Sequence, residues 1–280
     1  MRSEEEKKYL ANKHKGGTAN AKGALYEDYY AVYQIVACIA KYKQELDGVA
    51  FQTQLEDTFV DDLLIAHPDI NVYHQLKNTQ SLTWDTKSTD RTIISDFENQ
   101  KMDCEGRNET FALKLVYSAN NSKVGESIPH SIQAYTTTEY FPYEEDLNGL
   151  ILISEEFIDV LRQISVNGDS ATIDELVNVA QVFFGVWRGC GSNHRVSLSD
   201  IVARAKHMKH FNLNIFADGT ISKACREVLD NIEGLCYCVS GKIFYWQVGD
   251  FNGSCPWPEG KEQEIIDKRP TTRRELVAIL

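Results

Sequence analysis

No stretch of this 280-residue chain stays apolar long enough to cross a bilayer, which excludes a transmembrane helix and predicts no membrane partner. The N-terminus lacks the apolar core of a signal peptide. Met1-Arg2-Ser3-Glu4-Glu5-Glu6-Lys7-Lys8 is polar and helix-prone, so the cytoplasm is the expected compartment. Positive charge is scarce: 29 Lys and Arg face 41 Asp and Glu, a net charge of −12. That balance argues against tight, unassisted, non-specific DNA binding at physiological salt. Internal repeats and low-complexity tracts are absent. Seven cysteines, an odd number without regular spacing, give no disulfide framework. In a reducing compartment they read as small buried hydrophobes. Cys236 and Cys238 share a strand face, and with Cys255, Cys190 or His194 they could bind zinc. Their spacing matches no common zinc pattern.

What is present is an ordinary globular composition. With 42% hydrophobic and 25% charged residues, the chain can bury a core and is not disordered. Its length gives room for one large or two modest domains. Charge is unevenly spread: residues 136–165 carry seven acids and one base, whereas 166–220 carry five of each with three histidines. A negative total is therefore compatible with a locally basic surface.

Residues 3–14 predict a short charged helix, broken at Gly16-Gly17. Leu25, Tyr29, Val32, Val36 and Ile39 recur at three- and four-residue steps, predicting an amphipathic helix that ends near Lys43. Strands are predicted at 49–55, 58–65, 71–77 and 111–118. Residues 80–109 are polar and predict one helix centred on Ile93, Ile94 and Phe97. Ser127 to Gln133 reads as an edge strand or a crossover. This order implies an α/β fold with one central mixed sheet. From about residue 140 helices dominate. Ser154 opens one that runs to Ser165, and Thr172-x-x-Glu175 and Ser197-x-x-Asp200 are capping boxes. Thr220 or Ser222 opens another that stops at Gly234. Residues 235–239 and 242–248 predict a tight hairpin, and a last helix follows Thr271-Thr272.

The chemistry concentrates between Asp61 and Lys77. Two short apolar runs flank the polar tip His67-Pro68-Asp69-Ile70-Asn71, as in a hairpin. Strand alternation puts Asp62 on one face with Leu64, and Gln75 with Lys77. If the faces coincide, a carboxylate, an amide and an ammonium stand side by side. A sheet rarely buries such a trio without partners, because each unpaired polar group costs kilocalories. Glu27, on the helix before, adds a second carboxylate. Carboxylate oxygens suit magnesium, and one or two suffice when phosphate supplies the rest. The plainer alternative is a surface hairpin with cross-strand charge pairing. His67 and His74 flank the loop and could be catalytic, and Trp84 with the tyrosines at 26, 29, 30 and 33 could stack bases. A structural role is the simpler expectation for each. Glu56-Asp57 reads as an acidic strand end.

These residues resemble the PD-(D/E)XK nuclease superfamily. Gly23-Ala24-Leu25-Tyr26-Glu27, then Asp61-Asp62-Leu63, then Gln75-Leu76-Lys77 look like the nuclease domain of bacterial antiphage effectors. That domain is associated with CD-NTases and with SMC-like systems such as Lamassu. The likeness covers roughly residues 14–120. Gln75 stands where the superfamily motif has Asp or Glu, and the Gln form occurs in this branch. The resemblance implies a restriction-endonuclease-like core over residues 1–138 and Mg2+-dependent hydrolysis of double-stranded DNA, with Mn2+ as the alternative ion. It implies Glu27, Asp62 and Gln75 as metal ligands and Lys77 as the residue that positions water, with Asp61 beside them.

Residues 139–280 then form a mainly helical second domain for partner or DNA docking. Arg188, Arg195, Arg204, Lys206 and Lys209, with His194, His207 and His210, make a locally basic stretch. Helices at 197–209 and 220–233 followed by the hairpin resemble a helix-turn-helix with a wing. A protein-docking module anchored by Phe244, Tyr245, Trp246 and Trp257 is the competing expectation. About 140 residues is short for the cyclic-oligonucleotide sensor such effectors carry. Control is therefore expected from another chain, an ATPase of the SMC-like or helicase class. Self-association is left open. The alternative function is a non-catalytic adaptor, or a DNA-binding winged-helix subunit, that keeps a degenerate nuclease fold.

Overall fold

The computed structural model describes residues 4–42, 45–79, 81–85, 92–119, 123–165, 167–191, 194–207, 221–240, 243–258 and 260–280, with the backbone alone for 4–19, 206, 207 and 240. It opens with α1 (Glu4–Tyr42), a single helix. At 1.5 Å per residue α1 is about 58 Å long. The break expected at Gly16-Gly17 is corrected: helix continues through both and through Gly23. A glycine inside a helix costs about 1 kcal/mol relative to alanine, which weakens the helix without forbidding it.

Three antiparallel strands follow: β1 (Ala50–Thr53), β2 (Leu63–Ala66) and β3 (Asn71–Lys77). Then come α2 (Ile93–Gly106), β4 (Phe111–Tyr117) and β5 (Thr136–Tyr140), and β4 runs parallel to both β3 and β5. Of the edge strand or crossover expected at 127–133, the crossover is what forms, in the connection from β4 to the parallel β5. That segment is turns leading to a 3-10 turn at Gln133–Tyr135, and β5 begins after it. Next are α3 (Leu147–Ile153), α4 (Glu155–Ile164), α5 (Ile173–Cys190), the short β6 (Val196–Ser197) and α6 (Leu198–His207). β6 pairs with β1, so the mixed sheet has the order β5-β4-β3-β2-β1-β6. The fold is α/β, as expected. The expected division after residue 138 falls within β5.

All four β2 residues are buried, because both sheet faces are covered. Strand alternation sorts them. Leu63 and Ile65 join Leu76, Val116 and the helices α1, α4, α5 and α6 in one apolar cluster that spans residues 26 to 205. Leu64 joins Tyr73, Leu113 and Leu115 against Phe97 and Cys104 of α2 in a second. Tyr26, Tyr30, Ile35 and Ile39 of α1 are fully buried, each contributing about 1.5–3 kcal/mol of transfer free energy. The tyrosines and Trp84 therefore pack in cores. Trp84 donates its Nε1–H to the Val124 carbonyl at 3.1 Å.

A third cluster holds α7 (Lys223–Leu229), an antiparallel meander of β7 (Leu235–Ser240), β8 (Ile243–Val248) and β9 (Phe251–Pro256), then α8 (Lys261–Lys268) and α9 (Arg273–Ile279). Neither β9 nor α8 was legible beforehand. Ser222 caps α7, and Thr220 lies outside the described residues. The two helices expected to form a helix-turn-helix enter different clusters, α6 with α1 and α5, α7 with α8. Phe244 is fully buried and stacks on Trp257 at 4.6 Å, so these rings serve the core of this unit.

Candidate active site

The β2–β3 register pairs Leu63 with His74, so one step outward Asp62 faces Gln75 at the open ends of the two strands. The faces coincide as alternation requires. Gln75 donates its Nε2–H to Asp62 Oδ2. The Leu76 backbone N–H donates to the same oxygen at 2.7 Å, and Lys77 Nζ lies 4.0 Å from it. Gln75 is 5% exposed, and the side chains of Asp62 and Lys77 are 14% and 38% exposed. The ammonium is thus the most solvent-facing of the three.

Asp62 does not lie in a strand. The strand expected from residue 58 begins at Leu63, and 54–62 form a loop closed by the Leu55 N–H on the Asp61 carbonyl at 3.0 Å. Gln54 and Asp57 hold left-handed backbone conformations there, φ 51° and 58°, a region that is sparse for residues other than glycine. The loop is pinned from below by Gln100 of α2. This side chain is fully buried and accepts the N–H groups of Phe59 at 2.9 Å and Val60 at 3.2 Å. Its partners place it two residues before Asp62.

Glu27 enters from α1, on the other face of the sheet. Gln54 donates its Nε2–H to Glu27 Oε2 at 3.1 Å. Burial, then the charges of Asp62 and Asp28, push the Glu27 carboxyl up to about 7, against the pull of Lys77 and Gln54. The Asp62 carboxyl is also raised, by burial, with Lys77 and the Leu76 N–H opposing. The influence of Asp62 and Lys77 on Glu27, and of Lys77 on Asp62, places the three within one electrostatic neighbourhood. The next residue, Asp28, is raised by burial and held back by an ion pair with Arg188 of α5. Asp62, Gln75 and Lys77 are therefore drawn together, whereas Glu27 is linked to Asp62 and Lys77 through charge alone, and the exposed Asp61 likewise adds its charge to Asp62.

Two half-buried carboxylates, each raised by burial and one raised further by the other's charge, are the natural complement of a divalent cation. Among the described residues no three His, Cys, Asp or Glu side chains come together as a metal set. The donors here are two carboxylates and the amide oxygen of Gln75, whose nitrogen is turned to Asp62. Such a set fits a hard ion that takes its remaining oxygens from water and phosphate.

His74 is 2% exposed with Nδ1 3.2 Å from the Leu63 carbonyl, and burial lowers its pKa to about 3, so it stays neutral as a core residue. His67 Nδ1 lies 3.0 Å from the Tyr42 hydroxyl. Of the expected basic stretch, Arg188 is paired with Asp28, and Arg204 reaches the Gly189 carbonyl and Cys190 Sγ, both at 3.5 Å. The side chains of Lys206, His207, Lys209 and His210 lie outside the described residues. Sequence reasoning missed Gln54, Gln100 and the Asp28–Arg188 pair. Gln100 alone left a signal: it is a polar residue on the helical face that carries Phe97 and Cys104.

No known protein family, curated protein or solved structure matches this chain. No helix among the described residues is long and apolar enough to cross a membrane.

Proposed function

We propose that the chain is a magnesium-dependent endonuclease of double-stranded DNA, working in an antiviral defence complex under the control of a partner ATPase of the SMC-like or helicase class. The observation that carries this reading is the joining of Asp62 to Gln75, Leu76 and Lys77 at one strand end, with Glu27 of a separate element near enough to feel the charges of Asp62 and Lys77. The order α1-β1-β2-β3-α2-β4, antiparallel through β3 and parallel thereafter, supports a restriction-endonuclease-like core. Glu27, Asp62 and the Gln75 amide oxygen would hold Mg2+ or Mn2+. When bound, the ion supplies polarisation of a phosphoryl oxygen and acidification of a water.

Lys77, the most exposed of the three at the strand end, orients the attacking water and stabilises the extra negative charge of the five-coordinate phosphate. The water oxygen bonds to phosphorus as the phosphodiester P–O bond breaks; the water gives up one proton and the leaving alkoxide takes one, through solvent, so the step balances. Gln54 keeps the Glu27 carboxylate aimed, and the Leu76 N–H fixes Asp62. Supercoiled plasmid cleavage by the full chain, with and without its ATPase, tests the reading. Asp62→Ala and Lys77→Ala should abolish cleavage while leaving folding and partner binding intact. Cutting that survives both, or that proceeds in EDTA, overturns it. The second reading is an adaptor with a degenerate nuclease fold. It is favoured by one fact: Asp62 Oδ2 already accepts two hydrogen bonds, from Gln75 and the Leu76 N–H, with the Lys77 ammonium 4.0 Å away. A wild type that never cuts with Mg2+ or Mn2+, even beside its ATPase, establishes that reading instead.

A further inference from the structure

In a chain of net charge −12, the corner between α8 and α9 stands out. Lys268-Arg269-Pro270-Thr271-Thr272-Arg273-Arg274 holds four cations and no acid. The carboxylates nearest in sequence are largely taken up. Glu264 is shared by Lys261 and Lys268, at 2.9 and 2.7 Å. Glu275 accepts the Thr271 N–H and hydroxyl, at 2.8 and 3.0 Å. Asp267 accepts from Gln263 at 2.8 Å, and Asp250 precedes Phe251, the ring on which Arg273 lies. Arg269, Arg273 and Arg274 make no ion pair among the described residues. Arg269 and Arg274 are exposed.

The corner is firmly built. Ile265 anchors α8 in the core, and Leu276 and Ile279 anchor α9. Arg269 caps α8 in the left-handed conformation, φ 42° and ψ 61°, where glycine or asparagine is the usual residue. An arginine there keeps a backbone strain that glycine would remove, and such strain gathers at functional positions. Beside it β9 exposes Phe251, 61% open to solvent, with the Arg273 guanidinium 3.8 Å above the ring centroid. Guanidiniums without carboxylate partners match phosphate in charge and geometry. An arginine laid on an open aromatic ring is a platform on which a base can stack.

We propose that this corner binds the backbone of a nucleic-acid strand, phosphates on Arg269, Arg273 and Arg274 and a base against Phe251. The inference goes beyond the nuclease reading and holds whether or not the chain cleaves. Its test is therefore run in EDTA, where cleavage plays no part. Fluorescence anisotropy of labelled DNA, as single strand and as duplex, is measured with the full chain between about 50 and 200 mM salt. Wild type should bind at the low end. Arg269→Gly with Arg273→Gln and Arg274→Gln should weaken binding roughly tenfold or more, and should lower the slope of log K against log salt by about 2 for single strands. Phe251→Ala should weaken the single strand more than the duplex. Arg269→Gly alone should keep or raise the melting temperature, because glycine suits the left-handed cap, yet still weaken binding; this separates charge from folding. No binding by wild type, or a triple variant with unchanged affinity and slope, overturns the proposal. So does polyglutamate that competes as well as DNA at equal charge concentration, since the site would then be one for acidic polypeptides.

Discussion

Replacing Gln100 with methionine keeps its length and apolar stem but removes the acceptor that holds the loop before Asp62. Two backbone N–H groups, of Phe59 and Val60, would lose the partner they reach at 2.9 and 3.2 Å. Val60 is fully buried, so its N–H gains no water in exchange, while Phe59 is 44% exposed and regains part of its loss. An unsatisfied buried donor costs about 1–3 kcal/mol. The outgoing side chain's other bond, from Nε2 to Cys104 Sγ at 3.4 Å, is weak and adds little. The expected destabilisation is about 2–4 kcal/mol, a fall in melting temperature of roughly 4–12 °C for a chain of this size. Urea unfolding followed by tryptophan fluorescence measures it, since Trp84 packs on Phe97 one turn from Gln100. Met102→Gln, at a position 61% exposed on the same helix, is the control and should stay within about 0.5 kcal/mol. A Gln100→Met midpoint indistinguishable from wild type would refute the claim that this amide pins the loop. If the nuclease reading holds, the variant also loses cleavage at temperatures where it remains folded, because Asp62 is released from its place opposite Gln75.

Glu27→Gln tests the electrostatics. The folded protein holds the Glu27 proton up to about pH 7, against 4.5 for the ordinary group, so its contribution to stability is present below pH 4.5 and is lost as pH rises to 7. Denaturation midpoints across that window should fall less steeply in the variant than in wild type; parallel curves contradict the raised carboxyl. Arg188→Ala leaves the half-buried Asp28 without its cation, and a loss of about 1–2 kcal/mol is expected by chemical denaturation, between the surface and buried limits for an ion pair. Gly253→Ala places a methyl 2.7 Å from the Trp246 ring across the β8–β9 pair, and overpacking should cost about 1–3 kcal/mol in thermal melts. An unchanged melting temperature would mean that the indole moves aside freely.

Local chemistry was enough to read β3 to the residue, β4 to within one, the helices opened by Ser154 and Thr172, and an α/β order, because those signals lie within a few residues of one another. Side-chain alternation also brought Asp62 to the side of Gln75 and Lys77. It could not end a strand early: residues 58–62 carry apolar Phe59 and Val60 like a strand, and Gln100, forty residues on, helps hold them as a loop. Nor could it join Gly16-Gly17 into one helix, pair β6 with β1, or show that Arg188 is taken up by Asp28, 160 residues away. Periodicity and capping are short-range and written in order along the chain. The depth of burial that raises Glu27, and the choice of which arginines keep a partner and which remain open at the α8–α9 corner, depend on groups distant in sequence that only packing brings together.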